Sequence, residues 1–196
     1  AREQALAKKE AELRVLEVAL GTLTVALAED RKDHYTGGFA VQAERNAVRA
    51  TLEADLSGEA SAVNISTNLD LGDLSLFKPL VDDYLFELDG ALVGDLNYKQ
   101  SGNDIAVIGR TALNDILIGP IQTGAVYSIQ RDTVLFTDEG LVFNAFDVFD
   151  AKGNRFLLDG KVLTSSGTVP SLALRLRTER FQLVNSTAAP LRYDAV

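Results

Sequence analysis

The residues that could perform acid–base or metal chemistry are few in this chain and poorly placed for it. His34 is the only histidine among the 196 residues, and it lies in a polar stretch that predicts a loop. A single imidazole does not make a metal cluster, so we expect His34 to be a solvated surface residue. The adjacent carboxylates Asp82–Asp83 and Asp138–Glu139 point apart on an extended chain, which makes each pair unsuited to acid–base catalysis. We therefore predict no catalytic residue, no metal site and no cofactor.

The composition argues against several other functions. The chain carries 19 basic and 28 acidic residues, a net charge of −9, and the basic residues do not cluster into a stripe. Nucleic acids and anionic membrane surfaces are bound through clustered basic residues, so neither is an expected partner. The chain has no cysteine and therefore no disulfide, and no apolar run reaches the ~18 residues of a membrane-spanning helix. It also has no methionine, so we expect it to be a fragment of a longer protein.

The strongest structural signal is the alternation of apolar and polar residues over Val48–Leu71. Val48, Leu52 and Leu56 fall on one side of an extended strand, and the residues between them are mostly polar or charged. After a turn the same pattern resumes as far as Leu71. Because side chains alternate between the two faces of a strand, the pattern predicts a sheet with one apolar and one polar surface. The apolar surface needs a covering, which can be protein or a ligand.

Strand signals recur along most of the chain. Residues 1–13 are rich in helix formers and make a separate N-terminal segment, for which a helix, a frayed end and a strand all stay open. Residues 14–196 are expected to form one elongated β domain, interrupted by a loop at Glu29–Gly38 and by a short helix within Asp73–Asp83 that Pro79 limits. The predicted strands are Leu16–Leu20, Leu23–Leu27, Phe39–Arg45, Ala47–Leu56, Ala62–Leu71, Phe86–Lys99, Asp104–Leu113, Ile121–Gln130, Thr133–Thr137, Leu141–Val148, Arg155–Leu163 and Ser171–Val184.

These elements predict an all-β fold built on a long meandering sheet. A sandwich or a closed barrel would present similar strands, but the long strands and short linkers favour a meander of sequence neighbours. Such a sheet must curl lengthwise into a trough to hide its apolar side. Gly90 and Gly94 fall on that side of one strand, where they indicate either a close-packed corner of the sheet or a groove with room for a ligand.

Several strings in the chain resemble a known family. The most specific are FNAFDVFDAKGN over Phe143–Asn154, LDGKV over Leu158–Val162 and LALRLRTERFQLVN over Leu172–Asn185. Upstream, Leu69–Leu80 fits a short helix, and the helix is followed by an L-x-G-x-(L/V)-x-G-x-L strand over Leu88–Leu96. In this order the motifs resemble the C-terminal β domain of the TamB family, the translocation and assembly module subunits of the AsmA-like envelope protein superfamily.

The resemblance covers about Leu52–Val196 and implies a trough with an apolar interior. It implies a periplasmic segment of a Gram-negative cell envelope, whose parent chain is anchored in the inner membrane. Its function would be to shield phospholipid acyl chains during transport between the inner and outer membranes and to support outer-membrane biogenesis. The implied partners are phospholipid acyl chains and an Omp85-type outer-membrane barrel. The residues expected to line the lipid groove are Leu52, Leu56, Ile65, Leu69, Leu71, Leu88, Leu92, Leu96, Ile105, Val107, Phe143, Phe156, Leu158, Val162, Leu172, Leu174 and Leu176.

Two other functions stay open at this point. The sheet can serve as a scaffold or chaperone that receives strands of outer-membrane protein clients by edge pairing. It can also be an ordinary sandwich-type adhesin or repeat module whose core is occluded. The scaffold would bind a peptide, whereas the adhesin would bind nothing on its apolar side.

Overall fold

The computed structural model describes residues 21–58, 61–164 and 170–185. These residues form ten strands and one short 3₁₀ helix, Ser75–Leu80. The strands are β1 Thr22–Arg31, β2 His34–Gln42, β3 Asn46–Asp55, β4 Ala62–Leu71, β5 Leu85–Ser101, β6 Asp104–Pro120, β7 Tyr127–Thr137, β8 Gly140–Asp150, β9 Arg155–Leu163 and β10 Ser171–Thr178. The N-terminal segment 1–13 and the predicted strand Leu16–Leu20 lie outside the described residues.

All ten strands pair in sequence order in a single antiparallel sheet. The strands β1 and β10 are the two edges of this sheet, so it curls without closing into a barrel. The connections that the structure describes completely are short, apart from the segment between β4 and β5 that contains the 3₁₀ helix. The predicted fold class, an all-β meander with one short helix, is confirmed.

Two of the predicted interruptions are wrong. The stretch Glu29–Gly38 is not a loop, because Asp33 adopts a φ of 62° and closes a two-residue turn that leaves the flanking residues in β1 and β2. The strand predicted to end at Leu113 continues to Pro120. Most of the strand predicted over Ile121–Gln130 is a turn, and only residues 127–130 belong to β7, which also includes the predicted strand Thr133–Thr137. A bulge at Asp115, where φ is 50°, bends β6 without ending it.

The two remaining boundaries concern the helix and the last strand. The helix Ser75–Leu80 lies inside the predicted segment and contains Pro79, which confirms that prediction. The strand predicted over Ser171–Val184 ends at Thr178 instead. Beyond that residue the chain leaves the sheet edge and folds back over one end of the sheet.

Few side chains are fully buried in the described part of the chain. A single sheet buries a side chain only against its neighbours in the same layer, so large apolar residues stay partly exposed. The buried apolar residues are Val41, Ala47, Ala50, Ala54, Ile116, Ala125, Tyr127 and Phe146. Four of these eight are alanines, and among the larger ones Tyr127 contacts the chain after β10. The rest of the sheet has no comparable core among the described residues.

Candidate functional site

The pairing register defines a continuous apolar side of the sheet. Residues directly opposite each other in antiparallel strands point to the same face. Leu52 of β3 is opposite Ile65, Ile65 is opposite Tyr98, and Tyr98 is opposite Val107. Toward the first edge strand the same row ends at Leu27. We call this side of the sheet the apolar face and the opposite side the outer face.

The predicted groove residues lie on the apolar face with one exception. The register and the alternation along each strand place there Leu52, Ile65, Leu69, Leu71, Leu92, Leu96, Ile105, Val107, Phe143, Phe156, Leu158, Val162, Leu172, Leu174 and Leu176. Leu56 lies beyond the end of β3, is 47% exposed, and its backbone N–H donates to the carbonyl oxygen of Asp33 at 2.7 Å, so it is a turn residue. Leu88 lies beyond the bulge at Asp115 of β6 but on the same face: it is opposite Ile118, and Ile118 is opposite Tyr127. The rings of Tyr127 and of Phe156 on the apolar face both contact the ring of Phe181.

The sequence prediction missed part of the apolar face. The same register adds Leu23, Val25, Leu27, Tyr35, Phe39, Val41, Val134, Phe136 and Leu141. Tyr35 was missed because its stretch was interpreted as a loop up to Gly38, whereas Phe39 and Val41 lie in a predicted strand but were not assigned to the groove. The alternation over Tyr35–Val41 is the signal that identifies them, once Gly37 is accepted inside a strand.

The apolar face is uncovered at both edges of the sheet. On β1, Leu23 is 62% exposed and Leu27 is 64% exposed. On β10, Leu172 is 69% exposed and Leu176 is 56% exposed. Between the edges the large apolar side chains are half-buried against one another. Exposed apolar surface of this extent indicates a binding or assembly surface.

The two glycines on the apolar side of β5 mark close packing. A Cβ atom on Gly94 would lie 2.7 Å from the carbonyl oxygen of Arg110 and 2.8 Å from Cγ2 of Thr111. A Cβ atom on Gly90 would lie 2.6 Å from the carbonyl oxygen of Asp115. Because β6 occupies the space at both positions, the structure favours the close-packed corner over an open notch for a ligand.

The outer face is polar over β3, β4 and β5. The Nδ2 group of Asn68 donates to Oδ1 of Asp95 at 2.9 Å, and that of Asn97 donates to Oγ of Ser66 at 2.8 Å. Arg49 lies on the same face and is exposed. Most of these polar groups pair with one another or contact solvent, but Oδ1 of Asn64 and Oδ1 of Asn97 are buried with no hydrogen-bond partner among the described residues.

One end of the apolar face is closed by the segment Phe181–Asn185, which we call the C-terminal strap. The ring of Phe181 lies 5.5 Å from that of Tyr127 and 5.1 Å from that of Phe156, measured between centroids. Tyr127 Oη donates a hydrogen bond to the carbonyl oxygen of Leu183. The backbone N–H of Asn185 donates to the carbonyl oxygen of Thr123 at 2.8 Å.

Asp150 joins the strap to the hairpin turn between β8 and β9. Its Oδ1 accepts the backbone N–H groups of Lys152 and Asn154, while Oδ2 accepts Nδ2 of Asn154 and the backbone N–H of Gln182. Burial alone raises the pKa of Asp150, but these hydrogen bonds outweigh it and lower the pKa from 3.8 to about 2. The carboxylate thus holds the strap in place in its charged form.

His34 is not the solvated surface residue that the sequence predicted. It begins β2, is only 7% exposed, and its Nδ1 donates to Oδ1 of Asp30 at 2.5 Å. Its Nε2 lies 3.6 Å from Oε1 of Glu53 on the neighbouring strand. The hydrogen bond from His34 is the main reason why the pKa of Asp30 is lowered. The hydrogen bond to Asp30 ties His34 to the end of β1 and so stabilises the β1–β2 hairpin.

The described residues contain a further cavity but no metal site and no membrane-spanning helix. No three side chains of His, Asp or Glu in ranges 21–58, 61–164 and 170–185 are arranged to hold a metal ion. A cavity of about 930 Å³ lies at the end of the sheet away from the strap, among turn residues that include Glu53, Asp104 and Asp138. In the same ranges, no helix has the length and apolar character needed to span a membrane.

Comparisons with known proteins give no relative for this chain. No protein-family model, curated protein or solved structure matches it. The fold and the apolar face therefore have to carry the functional argument, and the resemblance to the TamB family stays a prediction.

Proposed function

We propose that the apolar face holds the acyl chains of phospholipids. On this proposal the chain is a periplasmic segment that shields lipids in transit between the inner and outer membranes and supports outer-membrane biogenesis. The observation that carries the proposal is the continuous apolar face, which runs from Leu27 on β1 to Leu172 on β10 and is exposed at both edges. The described residues supply a cover only at the end where the strap lies.

The energetics of transfer support acyl chains as the occupant. Removing an acyl chain from water is worth about 0.8 kcal/mol per CH₂ group, so ~16 carbons gain ~13 kcal/mol. Transfer from a bilayer to an apolar face is nearly neutral, since both surroundings are apolar. The face can therefore lower the water barrier between two membranes without trapping the lipid. A row of leucine, valine and phenylalanine is sufficient for this, and no polar specificity group is needed on the face itself.

A second candidate function is supported by the edge strand β1. Its apolar residues Leu23, Val25 and Leu27 are all more than 60% exposed, and only β2 pairs with it among the described strands. An amphipathic strand from an outer-membrane protein client could add to this edge and cover those side chains. In that case the protein is a scaffold or chaperone, and an Omp85-type barrel is its natural partner in the envelope.

Native mass spectrometry distinguishes the two functions. The chain is expressed in the periplasm of a Gram-negative host, purified without detergent and analysed for bound molecules. Lipid transport predicts bound phospholipid, with masses that match the host's lipids. A scaffold predicts bound peptide instead, and the absence of both supports an occluded adhesin-like module and contradicts the proposed function.

A further inference from the structure

The last strand of the sheet separates leucines and arginines onto its two sides. On β10, Leu172, Leu174 and Leu176 lie on the apolar face, whereas Arg175 and Arg177 lie on the outer face. Both arginines are exposed, and only β9 pairs with β10 among the described strands. Apolar and cationic side chains therefore meet along one free edge of the sheet.

These arginines are not neutralised by a partner on the neighbouring strand, in contrast to Arg155 and Lys161 of β9. Arg155 is bound to Asp147 at 2.6 Å, and Lys161 is bound to Glu139 at 2.8 Å. Within residues 21–58, 61–164 and 170–185, neither Arg175 nor Arg177 forms an ion pair, although the chain has a net charge of −9. The two positions therefore keep positive charge available at the edge.

The residues of β9 that lie opposite the two arginines explain why neither arginine forms an ion pair. Arg175 is opposite Asp159, but Oδ1 of Asp159 accepts the backbone N–H of Ala145 at 2.7 Å. Arg177 is opposite Leu157, which offers no charge. Glu179, beyond the end of the strand, is the nearest further acid along the chain. Arg177 is thus the more available of the two cations.

We propose that Arg175 and Arg177 bind the phosphate of a phospholipid whose acyl chains lie against the leucines of β10. The inference rests on the proposed function and names the part of the lipid that is recognised. A charged head group cannot stay on the apolar face without a large desolvation cost, so it must leave the face at an edge. On β10 the guanidinium groups lie on the other side of the same strand as the leucines. Guanidinium groups bind phosphate oxygens in a bidentate manner.

The other edge of the sheet lacks this feature. On β1 the residues that alternate with the exposed Leu23, Val25 and Leu27 are Thr22, Thr24, Ala26 and Ala28. None of them carries a charge, and Arg31 at the end of β1 is paired with Asp55 at 3.2 Å, so β1 presents the same apolar side without an unpaired cation behind it. The contrast assigns the head group to β10 and gives the lipid a defined orientation across the sheet.

The test compares two lipids that differ only in the head group. The full chain is equilibrated with vesicles that contain equal amounts of dioleoylphosphatidylglycerol and dioleoylglycerol, and the bound ratio is measured by mass spectrometry. We expect the wild-type chain to favour the phospholipid, and the double variant Arg175→Gln with Arg177→Gln to lose that preference by about tenfold, because charge-assisted hydrogen bonds to phosphate are removed. Binding of dioleoylglycerol should not change.

The matched control removes the same charge elsewhere. Arg49 and Arg110 are exposed on the outer face away from the edges, so Arg49→Gln with Arg110→Gln should keep the preference for phospholipid. Raising the ionic strength should reduce the preference of the wild-type chain. An unchanged preference in the β10 variant, or equal binding of the two lipids by the wild-type chain, overturns this inference while the proposed function stands. Binding of neither lipid overturns both.

Discussion

The rings of Tyr127 and Phe181 stack with their centroids 5.5 Å apart and their planes inclined by only 13°. Tyr127 begins β7, whereas Phe181 belongs to the strap that follows β10, so the contact joins β7 to a segment that has left the sheet. This is where the single sheet gains a second layer. Tyr127, which the strap covers, is only 9% exposed.

Replacing Phe181 with alanine should weaken this end of the molecule. The ring is half-buried and contacts two aromatic rings, so we expect a loss of about 2 kcal/mol in the free energy of unfolding. Chemical denaturation measures this change. Leu183→Ala is the control, because that side chain is largely exposed and should cost less than about 0.5 kcal/mol. Equal losses for the two variants would show that the strap is not held by the aromatic contact.

The hydrogen bonds of Asp150 predict a defined loss of stability in acid. Its pKa is about 2 in the folded chain and 3.8 when unperturbed, so its contribution is complete above pH ~4 and is lost as the pH falls toward 2. The side chain of Asp150→Asn has one acceptor oxygen where the carboxylate has two, so this variant should be less stable than wild type at pH 7. Its melting temperature should then fall less between pH 4 and pH 2. If the melting temperatures of wild type and Asp150→Asn fall by the same amount between pH 4 and pH 2, the role assigned to this carboxylate is contradicted.

Two glycines with positive φ allow a test of the close strand packing. Gly160 has a φ of 126°, and a Cβ atom there would lie 2.1 Å from the carbonyl oxygen of Ala173 on β10. Gly153 has a φ of 78° in a turn, with no atom within 4 Å of such a Cβ. We expect Gly153→Ala to cost about 1 kcal/mol from backbone strain alone, and Gly160→Ala to cost at least about 2 kcal/mol more. Thermal unfolding of the two variants gives the comparison, and similar costs would mean that β9 and β10 are not packed as described.

The faces of the sheet could be predicted from the sequence because side chains alternate with a period of two. The alternation over Val48–Leu71 sufficed to place Leu52, Ile65 and Leu69 on one side, and short turns made neighbours in sequence neighbours in space. The same rule failed for His34, since its strand is charged at the beginning and contains adjacent glycines. A period-two pattern is visible there only after the two-residue turn at Asp33 is known.

Features that depend on contacts between distant residues could not be predicted. The bulge at Asp115 occurs at a residue that rarely adopts a positive φ, so nothing in the local sequence indicates it. The strap was assigned to the last strand, although its apolar residues Phe181 and Leu183 are out of phase with Leu172, Leu174 and Leu176 of β10. Its departure from the sheet depends on Asp150 and Tyr127, which lie about 30 or more residues earlier in the chain. The arginines of β10 were likewise missed as a feature, because the chain as a whole is acidic.

A charge on the apolar face should abolish lipid transport in cells without preventing folding. Leu96 is half-buried on that face, so Leu96→Asp should still give soluble protein but should fail to restore outer-membrane integrity in a strain that lacks the parent gene. The control is Val93→Asp on the outer face, where the side chain is 44% exposed and a charge is tolerated. Normal function of Leu96→Asp would argue that acyl chains do not lie against this part of the face.

Site-specific photo-crosslinking along β5 tests the lipid groove most directly. A photoreactive amino acid is introduced singly at Leu92 and Leu96 on the apolar face and at Val93 and Asn97 on the outer face, and captured lipid is detected by mass spectrometry after irradiation of living cells. If the apolar face holds acyl chains, phospholipid will be captured at Leu92 and Leu96 and not at Val93 and Asn97. Capture of no phospholipid, or equal capture on both faces, contradicts the proposed function.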